Sequence, residues 1–148
     1  MARELKDRAD VQLFAAIAGI DSQSRQRIER ALPHGLSAAS FGVLNHFARG
    51  GEALGPAELA TALGVTKGAI TNTLQRLAAE GFVTVVDDPA DGRRKQVSLA
   101  PDGARAHLAC LTALRPDMDA LRGAFGEAEF DAALPFLHRL GAWLAAQR

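Results

Sequence analysis

Apolar residues recur with helical spacing along most of the chain, and at one place the pattern changes to that of a β-hairpin. From Thr66 the series Ile70, Leu74, Leu77 and Ala78 falls at i, i+4, i+7 and i+8, which predicts one buried helical face with the Thr66 hydroxyl capping its start. The opposite face shows Gly68, Thr71, Asn72, Gln75, Arg76 and Ala79, small or hydrogen-bonding groups without a large apolar residue. Gly81 stands just past the helix end. The β-rich run Phe82–Val86 is then joined to Gln96–Leu99 by a polar loop that holds Asp91-Gly92 and three consecutive cations, Arg93, Arg94 and Lys95.

Around this helix and hairpin the periodicity predicts further helices. Glu4–Leu32 reads as one long helix with a broken stripe of Val11, Phe14, Ala15, Ala18 and Ile28, ended by Pro33-His34-Gly35. Ser37 caps a second helix through Arg49, with Phe41, Leu44 and Phe47 inward, and Gly50-Gly51 releases it. Pro56 opens a short third helix carrying Leu59 and Leu63, closed by Gly64. Only Gly64, Val65 and Thr66 separate it from the next helix, so the two form a helix-turn-helix whose polar outer face suits a DNA groove. After the hairpin, Pro101–Arg122 keeps Leu108, Leu111, Leu114, Met118 and Leu121 on one stripe, and Gly123–Gly126 interrupts it. A last helix, Glu127–Ala146, carries Phe130, Leu134, Leu137, Leu140 and Leu144, with Pro135 expected to kink it. The first and last two helices bring more apolar surface than the central lobe needs, which points to a helical dimer interface.

Composition adds limits. At 148 residues, nearly half of them apolar, the chain suits one mainly α domain with a small β-hairpin wing. The formal net charge is zero, which argues against broad polyanion binding, and residues 64–99 hold five cations against four acids. Placement is the basic signal: Lys67 at a helix start and three cations in one loop. One cysteine, Cys110, precludes an internal disulfide, and no run approaches the roughly 20 apolar residues of a membrane span, so a cytoplasmic protein without a membrane is expected. His34, His46, His107 and His138 lie on different elements without metal-ligand spacing, so no metal and no cofactor is expected. Neither a Ser/His/Asp order, nor paired carboxylates, nor a phosphate-cradling glycine loop stands in a convincing context, so no enzyme is expected.

The element order and the string DDPADGRRKQVSLAPDG resemble the MarR family of winged helix-turn-helix transcriptional regulators, with the wing motif Asp88–Arg94, the strand Val97–Leu99 and the join Leu77…Gly81-Phe82-Val83 as its most specific parts. The resemblance spans essentially residues 1–148 as a single domain: a lobe over 35–100 that binds DNA, and a helical dimerisation region over 1–34 and 101–148. It implies a homodimer on a pseudo-palindromic double-stranded operator, acting as a repressor or activator, with a small aromatic or amphipathic effector bound between the lobe and the dimer helices. The residues so implied are Thr66, Lys67, Gly68, Thr71, Asn72, Gln75 and Arg76 on the recognition helix, and Arg93 and Arg94 in the wing, with Asp91 bracing Arg93 for the minor groove. Asn72 and Gln75 are the base-reading candidates; Thr66, Lys67, Thr71 and Arg76 are phosphate contacts. No ligand identity follows.

Four positions depart from the family pattern. Val85 and Val86 stand where arginines are common, Asn72 follows Thr71 where an Arg is common, and Ala100 replaces a capping Thr. Fewer cations imply a shallower salt dependence. They also keep open a winged-helix protein-interaction or ligand-binding module with little DNA binding. A redox sensor built on Cys110 is a third reading. Against it, the family's peroxide-sensing members carry their cysteine near the N-terminus with tyrosine partners, and this chain has no Tyr.

Overall fold

The computed structural model describes residues 2–147, so the chain ends of the expected dimerisation region, 1 and 148, lie outside it. The elements are α1 (Ala2–Lys6), α2 (Ala9–Ala31), a 3-10 turn (Pro33–Gly35), α3 (Ala38–Ala48), α4 (Pro56–Leu63), α5 (Lys67–Ala79), β1 (Val83–Asp87), β2 (Lys95–Leu99), α6 (Pro101–Ala124) and α7 (Glu127–Ala146). The fold is mainly α with a two-stranded antiparallel hairpin.

Local chemistry sets most of the boundaries. The Ser37 hydroxyl accepts the Ser40 N–H at 3.1 Å and starts α3. Gly64 and Gly81 end α4 and α5 at φ 67° and 74°, in the left-handed region that favours glycine. At each end the next N–H reaches back five residues, Val65 to the Ala60 carbonyl and Phe82 to the Leu77 carbonyl, both at 2.9 Å, so the last turns are satisfied without side chains. The hairpin pairs Val83 with Leu99, Val85 with Val97 and Asp87 with Lys95. Leu54, in the loop before α4, bridges Val97 and supplies a third extended segment.

The core lies where α3, α4, α5 and the hairpin meet α6. Leu44, Leu59, Leu77, Val43, Val97 and Cys110 are its largest fully buried side chains. On α5 the expected Ile70, Leu74 and Leu77 are buried, but Ala78 is exposed and Thr73 takes the fourth inward place, its hydroxyl donating to the Ala69 carbonyl at 3.0 Å.

In the flanking helices one expectation is corrected, and the faces turned to the lobe become visible. The long first helix is broken at Asp7-Arg8. Arg8 is extended (φ −70°, ψ 138°), and the Asp10 carboxylate accepts both the Val11 N–H and the Arg8 guanidinium, a side-chain alternative to helical pairing. No residue of α2 is fully buried: Val11 and Phe14 are exposed, and only Ile28 and Ala31 pack partly on the core. On α6 the buried face is Gly103, Ala106, Cys110 and Leu114, whereas Leu108, Leu111, Met118 and Leu121 point away from the lobe. The reason is distance. A Cβ on Gly103 would lie 1.9 Å from the Phe82 carbonyl oxygen, so only small residues fit where α6 crosses the hairpin, and the leucine stripe faces elsewhere. α6 runs on past Gly123 to Ala124, and both α6 and α7 continue through an internal proline, Pro116 and Pro135. As expected, Ala100 gives α6 no side-chain cap.

His107 on α6 stacks on Phe41 of α3 (centroids 5.8 Å apart, planes 11° apart), and its Nε2 donates to Asn45 Oδ1 at 3.1 Å. Burial holds its pKa below the ordinary histidine range. Among the described residues no helix is long and apolar enough to cross a membrane, and no group of three or more His, Cys, Asp or Glu is placed to hold a metal.

Three outcomes follow. Gly103→Ala must push backbone from backbone and should destabilise the chain by about 1–3 kcal/mol or more in denaturant unfolding. Cys110 is 0% exposed and burial raises its thiol pKa, so a thiol reagent should label it only as fast as the chain unfolds. Because the folded pKa of His107 is depressed, its contribution to stability is present above the unfolded value of about 6.5 and is lost as pH falls through the folded one. Stability measured from pH 7.5 to 5 should therefore fall more in wild type than in His107→Gln.

Candidate nucleic-acid interface

The recognition helix α5 is oriented from within the lobe. Its buried residues Ile70, Thr73, Leu74 and Leu77 fix its roll, and the Thr66 hydroxyl accepts the Ala69 N–H at 3.2 Å, as a cap should. That roll leaves Lys67, Gly68, Thr71, Asn72, Gln75 and Arg76 exposed on one side. The Thr71 hydroxyl donates to the Lys67 carbonyl at 2.8 Å, so its proton is engaged within the helix. Asn72 and Gln75 make no side-chain hydrogen bond among the described residues, and their amides face solvent ready to pair.

The wing loop is held by its own aspartates. Asp88 Oδ1 accepts the Ala90 N–H at 2.9 Å, Asp91 Oδ1 accepts the Arg93 N–H at 3.1 Å, and the Arg94 N–H donates to the Asp91 carbonyl at 2.9 Å. Asp91 therefore holds Arg93 through its backbone. Its other carboxylate oxygen lies 4.0 Å from Arg94 Nε, so the expected brace on the Arg93 guanidinium falls on the next residue instead. Lys95 pairs with Asp87 across the hairpin. Among the described residues Arg93 has no acidic partner, and neither do Lys67 and Arg76.

Wing and helix converge on one groove. About 590 Å³ of open space is lined by Lys67 and Thr71 from α5, Arg93, Arg94 and Lys95 from the wing, and Glu58 of α4 with Asp88. Sequence reading brings out five of these residues, Lys95 only as one of a run, and gives Glu58 and Asp88 no part in the site. The hairpin register sets Asp87 against Lys95, and with Asp91 beside Arg94 it leaves Arg93 as the wing's unpaired cation. Gly68, Asn72, Gln75 and Arg76 lie outside the groove, on the outward side of the same helix.

The MarR family model matches residues 34–94, from the turn before α3 through the wing arginines. Among curated protein sequences none matches. Among solved structures, a MarR crystal structure superposes with a TM-score of 0.77 at 28% identity, covering 95% of this chain and 96% of that one. The transcriptional regulator BldR from Sulfolobus solfataricus has a TM-score of 0.77 at 26% identity over 88% of this chain and 95% of its own. A mutant MarR from E. coli complexed with operator DNA has a TM-score of 0.73 at 26% identity, covering 88% and 94%. The family pattern lies on the helix-turn-helix and wing, and the likeness to MarR and BldR extends over nearly the whole chain to the flanking helices, so the chain has the winged-helix fold of these transcriptional regulators.

Proposed function

We propose that the protein is a homodimeric repressor that docks α5 of each copy in successive major grooves of a pseudo-palindromic operator and sets its wings in the flanking minor grooves. The observation that carries this reading is the convergence of Lys67 and Thr71 with Arg93, Arg94 and Lys95 on one groove beside an exposed, unpaired amide face. Cations there neutralise phosphate, and the free Arg93 guanidinium suits the negative potential of a narrow minor groove. The copy of E. coli MarR complexed with operator DNA supports the same role for this lobe.

Residues 1–34 and 101–148 would form the dimerisation region around the 35–100 lobe. Exposed Val11 and Phe14 on α2, Leu111 and Leu121 on α6, and Phe130, Leu137 and Trp143 on α7 are more apolar surface than a lone chain keeps in water. A small aromatic or amphipathic effector would act from the cleft between α2 and the lobe, where Ile28, Ile70 and Thr73 line about 220 Å³. Acting on DNA, the protein would work in the cytoplasm. The Cys110 redox reading loses its support, since the thiol is buried.

Sedimentation velocity should give the mass of two chains. Anisotropy against genomic fragments, including the promoter beside its own gene, should pick out one fragment with binding that survives near-physiological salt. Arg93→Ala should weaken binding to every duplex by roughly tenfold and reduce the salt slope by about one. Equal affinity of Arg93→Ala and wild type would sink the wing assignment, and weak, salt-labile binding to all fragments would favour a protein-interaction module presenting the exposed Val85 and Val86.

A further inference from the structure

On α5 the two kinds of contact are separated by angle. Ile70, Thr73, Leu74 and Leu77 define the inward direction, and at 100° per residue the outermost line of the helix passes over Gly68, with Asn72 and Gln75 each within about 30° of it. Lys67 and Arg76 stand well round the helix, roughly 110° and 70° from that line, and Lys67 turns into the groove it shares with the wing. Thr71 also lines that groove, with its hydroxyl proton committed to the Lys67 carbonyl. The line that would face the floor of a major groove therefore carries two free amides and no cation.

Guanine is read most often by Arg or Lys on its O6 and N7, whereas Asn and Gln make paired bonds to adenine N6 and N7. Asn72 and Gln75 are about 4.5 Å apart along the axis, against about 3.4 Å per base pair, so they address neighbouring or next-neighbouring pairs. Asn is a short side chain, and it reaches a base edge only if the helix backbone comes close. Gly68 supplies that clearance. A Cβ there would meet nothing within 4 Å inside the chain, so nothing in the folded lobe requires a glycine at a helical position where it is unfavourable.

Resting on the operator reading above, we infer that α5 is an adenine reader: each half-site places adenines one or two steps apart in the major groove for Asn72 and Gln75, and this helix makes no guanine contact. Gly68 is the positioning residue that allows the approach.

The test begins by enriching duplexes from a randomised library with the full-length protein. Each adenine of the enriched half-site is then replaced in turn by 7-deazaadenine, which keeps Watson–Crick pairing and removes the N7 acceptor. Wild type should lose roughly five- to 150-fold at two adenines one or two steps apart. Asn72→Ala should abolish the sensitivity at one of them and Gln75→Ala at the other. Gly68→Ala should raise the melting temperature by a few degrees while weakening operator binding, opposite signs that a merely structural glycine does not give. Twofold or smaller effects of 7-deazaadenine at every position, or a dominant loss with 7-deazaguanine, overturn the inference while leaving operator binding intact. Enrichment of no duplex above the salt-labile background overturns the operator reading and this inference with it.

Discussion

The backbone of Phe82 holds three elements in one place. Its N–H closes the end of α5 on the Leu77 carbonyl at 2.9 Å, its carbonyl accepts the Ala100 N–H at 3.0 Å just before α6, and Gly103 of α6 presses against that same oxygen. Recognition helix, wing and α6 thus meet at backbone, not through side chains that can change rotamer. Backbone contacts of this kind leave little slack, because relief requires moving a whole element. The orientation of α5 relative to the wing, which decides whether Lys67 and Arg93 share a groove, depends on this junction more than on any ion pair at the surface.

Electrostatics then selects within that frame. The chain has as many acids as bases, and many of its described ion pairs, such as Arg27 with Asp117 and Arg122 with Glu127, are exposed and worth at most about 1 kcal/mol each. Their larger effect is on the field. Cations paired elsewhere contribute little potential beyond a Debye length of about 8 Å, so the unpaired Arg93, Lys67 and Arg76 carry the local positive signal. Glu58 and Asp88 in the same groove temper it. A modest patch of this kind favours a protein whose discrimination comes from base edges over one that grips any duplex.

Much of the fold was legible because much of it is local. Ser37, Thr66, Pro56, Gly64 and Gly81 act on backbone groups within five residues, and each sits where the sequence placed it. The wing was legible for the same reason. What failed was non-local. Which stripe of α6 turns inward is decided by how closely it crosses the hairpin, and periodicity, which shows the leucine stripe, does not name the small-residue face that packs on the lobe. The break at Asp7-Arg8 and the pairing of Leu54 with Val97 likewise need partners that periodicity does not name. At the site, residue identities came from the helix face and the wing motif. The separation of Arg93, free, from Arg94 and Lys95, paired, came only with the strand register.

In the homodimer proposed above, the two stripes of α6 would bear on regulation. Gly103, Ala106, Cys110 and Leu114 fasten one side of the helix to the lobe, and Leu111, Met118 and Leu121 are exposed on the other side, which the proposed dimer would cover. Simultaneous docking needs the two recognition helices about 34 Å apart, one turn of DNA. Packed on both sides in such a dimer, α6 would carry a shift at the partner to the Phe82 junction, and with it to α5 and the wing. The proposed effector, set against α2 near Ile28 and Ile70, would touch this train at the recognition helix itself. It need only favour one of two spacings by a few kcal/mol to change operator occupancy a hundredfold or more, because affinity follows the differential free energy and not the size of the movement.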